Sequence, residues 1–147
     1  MMAKKTEIEN LMLAFTASQL NEKDVLKMGE ALLRTGADEL TNGGFWIWGV
    51  DTDVEFYSPK FIKTLGYNPN EVKPTPAFWQ NNILPEYLDQ AINTVKKHAE
   101  TMGDTAYHLV VEYEHKNGDI IPILCSGQGV FNDNNELCYL IGSHKLL

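Results

Sequence analysis

Apolar residues recur at helical spacing in two stretches at the start of the chain. The first stretch, residues 6–20, contains Ile8, Leu11, Met12, Phe15 and Leu20. The second, residues 22–40, contains Val25, Met28, Leu32, Leu33 and Leu40. Both patterns predict amphipathic helices, and the pair Gly43-Gly44 is expected to end the second one.

The next segment, GGFWIWGVDTD, predicts a β-strand that is apolar on both faces. Side chains alternate along a strand, so Trp46 and Trp48 share one face while Phe45 and Ile47 share the other. A strand of this kind needs a cover on each side, because a large exposed apolar patch is adhesive. The turn DTD then leads into a second short strand, VEFYS.

Short helices that begin with proline are expected after the second strand. Ser58-Pro59, Asn68-Pro69 and Thr75-Pro76 each place a capping residue before a first-turn proline. The longest helix is predicted over residues 85–103, where an apolar stripe faces the protein and lysines face water.

Three strands are predicted for the rest of the chain, in AYHLVVEYEH, IIPILCSGQGVF and LCYLIGSHKLL. The pair Asn117-Gly118 between the first two is a strong hairpin signal. Strands grouped in this way, with helices between the two groups, predict an antiparallel sheet with helices packed on it. The fold class is therefore α+β.

Composition limits the function classes. A chain of 147 residues is expected to form one domain. Its 12 Lys and Arg against 20 Asp and Glu give a net charge of −8, which disfavours nucleic acids and anionic membranes as partners. Cys125 and Cys138 lack metal-ligand spacing, and free thiols indicate a reducing, cytoplasmic location.

Neither targeting nor catalysis is indicated. Glu7 and Glu9 interrupt the basic start of the chain, which argues against a signal peptide, and no apolar run approaches the ~18 residues of a membrane span. The sequence contains no Gly-rich phosphate loop, nucleophile elbow or His-Glu-x-x-His motif. Asp51 and Asp53 are interpreted as turn residues rather than as an acid and base pair, so the protein is predicted not to be an enzyme.

The order of these elements and several motifs resemble a PAS domain over residues 44–144. The matching pieces are GFWIWGVDTDVEFYSPKFIKTLGYNPNEV and VEYEHKNGDIIPILCSGQGVFNDNNELCYLIGSH. The resemblance implies a five-stranded antiparallel sheet with a helical flank that encloses a small pocket. The chain then divides into an N-terminal helical extension, residues 1–42, and a PAS-like sensor domain, residues 43–147.

The sequence departs from the family pattern in four places. Glu114 stands where many relatives have arginine, Pro122 where many have tryptophan, and Leu84-Pro85-Glu86 replaces a common His-Pro-Asp/Glu. After Gly142-Ser143-His144 the family usually continues into an Asp-Ile-Thr-like coupling motif, whereas this sequence has Lys145-Leu146-Leu147. Two interpretations follow: the chain is a fragment of a longer protein, or it is a free-standing sensor.

The resemblance implies which side chains face the pocket. The candidates are Trp46, Trp48, Phe61, Phe78, Ile92, Leu109, Val111, Tyr113, Ile123, Cys125, Leu140 and His144. An apolar enclosure with a few polar groups suits a small organic ligand, but a filled core has the same composition. His144 lies near the position of a signalling glutamine in flavin-binding relatives. It is a candidate for a polar side chain that hydrogen-bonds a ligand, or for a switch that changes its charge near neutral pH. The alternative is a solvent-exposed residue at the end of the strand.

No cofactor is firmly predicted. Heme-binding relatives place their axial histidine near Ile92, whereas the nearest histidine on that helix is His98. His108 and His115 are seven residues apart on a strand, so they face opposite sides and cannot share a metal. The reactive cysteine of blue-light relatives corresponds to Ala77, which excludes a flavin–cysteine adduct and leaves non-covalent flavin and heme as lesser alternatives.

The outward face of the sheet is also predicted to be apolar. Its residues are Phe45, Ile47, Ile121 or Leu124, Leu137, Tyr139 and Ile141. The two N-terminal helices are expected to cover this face, within one chain or across a homodimer. The predicted function is a non-catalytic sensor that acts on a histidine kinase, a cyclase or another signalling partner. The alternatives are a ligand-free interaction module and a heme or flavin redox sensor.

Overall fold

The computed structural model describes residues 22–147, so the helix predicted over residues 6–20 lies outside the described part of the chain. The helices are α1 (Glu22–Arg34), α2 (Ala37–Leu40), α3 (Pro59–Thr64), α4 (Ala77–Asn82) and α5 (Pro85–Glu100), with a 3₁₀ turn at Pro69–Glu71. The strands are β1 (Phe45–Gly49), β2 (Val54–Tyr57), β3 (Tyr107–Glu114), β4 (Ile120–Phe131) and β5 (Leu137–Leu146).

The five strands form one antiparallel sheet in the order β2-β1-β5-β4-β3. This arrangement confirms the predicted α+β fold. The first and last strands are neighbours at its centre, and hydrogen bonds join their ends. Gly43 N donates to His144 O at 2.9 Å, and Leu146 N donates to Asn42 Oδ1 at 2.7 Å.

The helix predicted over residues 22–40 is two helices. Thr35 and Gly36 separate α1 from α2, and Gly36 has a left-handed φ of 82° that favours glycine and ends a helix. The Thr35 hydroxyl donates to Leu32 O at 2.7 Å, which satisfies a carbonyl of the last turn of α1.

Ser58 caps α3, as predicted, and it also ties this helix to β1. Its buried hydroxyl accepts hydrogen bonds from the backbone N–H groups of Phe45 at 2.9 Å and Phe61 at 3.5 Å. Gly44 has φ 91°, and a Cβ at this position would overlap Phe61 N. The close approach of the helix to the strand therefore requires a glycine.

The strand β5 contains a bulge that the sequence pattern missed. Tyr139 pairs with Val130, but Leu137 pairs with Phe131, so one extra residue, Cys138, is inserted in β5. The prediction that Leu137 faces outward is therefore wrong. A Cβ built at Gly129, which faces the helices, would lie 2.6 Å from Leu137 Cδ1.

The sheet separates two apolar clusters. The inner cluster lies between the sheet and helices α3–α5, and it contains Trp46, Phe61 and Ile123. The outer cluster lies between the sheet and α1 of the same chain, and it contains Met28 and Ile47. The two-sided apolar strand β1 is thus covered on both sides, and α1 supplies the outer cover.

Helix α1 covers only part of the outer face of the sheet. On β3 and β4 this face includes Val110 and Ile120, which are 48% and 47% exposed. Ile121 packs against the inner cluster, so Leu124 is the outward residue of the predicted pair. No helix in residues 22–147 has the length and hydrophobicity that crossing a bilayer needs.

Candidate ligand cavity

A small cavity lies between the inner face of the sheet and the helices. Its volume is about 30 Å³, room for roughly two water molecules. The residues that line it are Trp46, Trp48, Glu55, Phe61, Trp79, Val95, Tyr107, Tyr113, Cys125, Leu140 and His144.

The structure brings seven of the twelve predicted pocket residues to the cavity. These are Trp46, Trp48, Phe61, Tyr113, Cys125, Leu140 and His144. Val111 and Ile123 face each other in the β3–β4 register and belong to the inner cluster, against which Phe78 and Leu109 also pack. Ile92 is half-buried on α5 and does not line the cavity.

Four lining residues are not among those twelve: Glu55, Trp79, Val95 and Tyr107. Glu55 pairs with Trp48 in the β1–β2 register and therefore shares its inward face. The DTD turn and strand alternation could have placed it there. Tyr107 packs edge-on against Trp46 with ring centroids 5.9 Å apart. Its partner across the strands is Gly127, which leaves space for the ring. The position of Trp79 depends on the short helix α4, whose orientation no local pattern specifies.

Glu55 is a buried carboxyl group, only 4% exposed. Burial raises its pKa well above the usual value, and the charge of Asp53 acts in the same direction, while a hydrogen bond from Trp79 opposes them. Its backbone N–H donates to Pro74 O at 2.9 Å, which fixes β2 against the loop before α4. The carboxyl group therefore retains its proton to a higher pH than an ordinary glutamate.

His144 is buried among aromatic rings and is only 3% exposed. Its ring centroid lies 4.5 Å from that of Phe61 and 5.9 Å from that of Tyr113. Burial lowers its pKa to about 3. Two expectations are thereby corrected: this residue is not solvent-exposed, and in this structure its charge does not change near neutral pH.

Two lining residues carry polar atoms with no hydrogen-bond partner. Trp46 Nε1 and His144 Nδ1 are two of the four such buried side-chain atoms in the described part of the chain; the other two belong to Asp38 and Tyr139. The Trp46 indole interacts with the Cys125 thiol, which is only a weak acceptor. A buried polar atom without a partner is costly. A ligand or a water in the cavity would give these two groups a partner.

Cys125 contributes a thiol that stays protonated. Burial raises its pKa to about 12, and the nucleophilic form of cysteine is the thiolate. Burial also raises the pKa of the neighbouring Tyr107 and Tyr113 hydroxyls well above the usual value. These side chains therefore present neutral polar groups to the cavity.

His98 has a structural role. It is buried, its Nδ1 lies 2.7 Å from Thr105 O, and its Nε2 accepts a hydrogen bond from Gly129 N at 2.9 Å. The ring is therefore in the Nδ1–H tautomer, with both nitrogens engaged. His108 is exposed and bonds Ser126 Oγ at 2.8 Å. Within residues 22–147, no group of three or more His, Cys, Asp or Glu side chains is arranged to hold a metal ion.

The cavity does not fit the cofactors that the resemblance brought into consideration. Flavin and heme are each far larger than two water molecules, and the side chains around the cavity would have to move apart to admit either one. His98, the histidine nearest to the family's heme-ligand position, has no free nitrogen for iron. Ala77 begins α4 and offers no thiol.

The family model described as PAS fold matches residues 54–144, more than half of the chain. The chain therefore belongs to the PAS fold family. No curated protein matches the sequence significantly.

Solved structures with the same fold are similar to this chain at low identity. A sensory box histidine kinase/response regulator from Burkholderia thailandensis E264 is 23% identical with a TM-score of 0.65, covering 78% of this chain and 83% of that one. The N-terminal domain of a diguanylate cyclase with a PAS/PAC sensor from Marinobacter aquaeolei is 21% identical with a TM-score of 0.58, covering 68% and 90%. A light-oxygen-voltage domain studied with a flavin analogue is 16% identical with a TM-score of 0.59, covering 80% and 87%.

Proposed function

We propose that this chain is a non-catalytic, cytoplasmic sensor that binds a small organic molecule in the cavity. The observation that carries the proposal is the pair of unpartnered polar atoms, Trp46 Nε1 and His144 Nδ1, at the wall of a mostly apolar cavity. Binding sites for small molecules combine an apolar lining with a few polar groups.

The signal passes through the central strands to α1. On β1, Trp46 lines the cavity while Ile47 packs in the outer cluster with α1. On β5, Leu140 lines the cavity, while Tyr139 packs in the outer cluster. A ligand that binds two packings of these side chains with different affinity shifts the balance between them, and α1 follows the shift.

Residues 1–42 then form a helical extension and residues 43–147 the sensor domain. The extension and the uncovered part of the outer face form a homodimer interface. The output partner is a histidine kinase or a cyclase. Two of the similar solved structures come from a protein of each of these kinds. Exposed Val110 and Ile120 support an interface on this face.

A second candidate is a ligand-free interaction module. The small volume of the cavity, about 30 Å³, favours it, because such a core is nearly filled.

The intrinsic fluorescence of the protein distinguishes these candidates. All three tryptophans, Trp46, Trp48 and Trp79, line the cavity, so the signal reports on this site alone. Small molecules released on denaturation are identified by mass spectrometry and then added back. We expect binding that the Trp46→Phe variant weakens, because it keeps an aromatic ring and removes the unpartnered N–H.

The matched control is Tyr67→Phe, which also removes one polar hydrogen from an aromatic side chain but lies outside the cavity lining, and it should leave binding unchanged. If no molecule is released and no small molecule changes the fluorescence, the interaction module is the better description. Visible absorbance of the purified protein tests the heme or flavin alternative.

A further inference from the structure

Aromatic rings and one carboxyl group dominate the cavity lining. Six of the eleven residues that line it are Trp, Phe or Tyr. Glu55 is the acidic member of the lining, which contains neither Lys nor Arg among the described residues. Aromatic faces carry negative potential and attract cations, and rings arranged around a cationic group are a known means of binding ammonium ions.

Glu55 has no cationic partner among residues 22–147. The ion pair found in this part of the chain joins Lys116 to Glu71. A buried carboxylate is costly unless a cation compensates it. The carboxyl group therefore stays protonated without a ligand, and its ionised form is complementary to a bound cation.

We propose that the ligand of this cavity is a small free organic ammonium ion, held between the Glu55 carboxylate and the surrounding aromatic rings. This inference rests on the proposed sensor function. The His144 Nδ1, which has no partner, accepts a hydrogen bond from the ammonium N–H. The volume of about 30 Å³, room for roughly two water molecules, limits the ion to about the size of methylammonium, which has two heavy atoms.

Binding of a cation is coupled to release of the Glu55 proton, so affinity rises with pH. The surrounding groups set this coupling. Asp53 opposes ionisation of Glu55, and His144 is neutral above a pKa of about 3, so it does not repel the cation at neutral pH. The remaining titratable groups on the strands around Glu55 are neutral at pH 7: Tyr57, Tyr107, Tyr113 and Cys125.

The test is a titration of the folded protein with methylammonium chloride, followed through the three indole N–H resonances. Sodium chloride at equal concentration controls for ionic strength, and methanol is the neutral probe of similar size. We expect methylammonium to shift the indole resonances saturably and both controls to leave them in place. The affinity should rise with pH above the range in which an ordinary glutamate ionises.

The decisive variant is Glu55→Gln, which keeps the shape of the side chain and removes its charge. It should weaken methylammonium binding by about tenfold or more, because a charge-assisted hydrogen bond is lost. Glu114→Gln, on the exposed end of β3, is the matched control and should bind like the unaltered protein.

Unchanged binding in Glu55→Gln would overturn the inference. If that variant does not fold, pH-independent binding by the unaltered protein overturns it instead. Shifts with methanol but not with methylammonium also overturn it, while the proposed sensor function stands. If neither probe nor any released molecule affects the indole resonances, both proposals fail.

Discussion

Gly29 lies in α1 where this helix crosses Phe56 of β2. A Cβ at Gly29 would overlap the Phe56 ring, since its ideal position is 2.5 Å from Cδ2 and closer still to Cγ. The ring cannot easily move aside because it stacks on Phe45, with centroids 5.7 Å apart. We predict that Gly29→Ala destabilises the protein by forcing α1 away from the sheet.

Two opposing effects determine how much Gly29→Ala changes the free energy of unfolding. Replacing glycine by alanine inside a helix stabilises by about 1 kcal/mol, whereas overpacking costs about 1–3 kcal/mol. The net change in the free energy of unfolding is therefore a loss of up to about 2 kcal/mol. In a Phe56→Ala background the clash is absent, and Gly29→Ala should stabilise by about 1 kcal/mol.

The assay is a double-mutant cycle measured by urea denaturation with circular dichroism. The coupling between the two positions should be about 1–3 kcal/mol, the overpacking cost alone. Equal stabilisation by Gly29→Ala in both backgrounds would refute the close packing of α1 on β2. The proposed route of the signal from cavity to helix would then lose its outer contact.

Three further predictions concern histidine and cysteine. Between pH 6.5 and about 3 the unfolded state protonates His144 and the native state does not. The free energy of unfolding should therefore fall as pH falls, by up to about 1.4 kcal/mol per pH unit. Urea titrations at several pH values, compared with those of His144→Gln, measure this effect. Equal slopes of unfolding free energy against pH in the two proteins would contradict it. His98→Phe leaves Thr105 O and Gly129 N unpaired and should cost about 2–4 kcal/mol in urea denaturation, whereas His108→Gln on the surface should cost under about 1 kcal/mol. Iodoacetamide should modify Cys138 well before Cys125 in the native protein, read by mass spectrometry, because Cys125 is buried with a pKa of about 12; the reverse order would contradict this.

The sequence pattern predicted the sheet and the helical flank because both follow from local rules. Alternation along β1 placed Trp46 and Ile47 on the correct faces, and the Ser-Pro and Asn-Gly signals marked the start of α3 and the β3–β4 turn. These features depend on neighbours a few residues apart, which a single sequence displays.

The errors arose where long-range packing decides. One inserted residue, Cys138, reversed the face assigned to Leu137, and alternation alone cannot locate a bulge. The small cavity depends on which inner side chains meet, so Val111 and Ile123 became filled core rather than lining. Glu55 was missed because a glutamate in a short strand is ordinarily interpreted as exposed.

The central position of β1 and β5 has a consequence for how such a domain is joined to other chains. The hydrogen bonds from Gly43 to His144 and from Leu146 to Asn42 fix the beginning and the end of the sheet side by side. Segments attached at the two ends would leave from a single corner of the domain. Any segment that follows β5 would therefore start beside the segment that leads from α2 into β1.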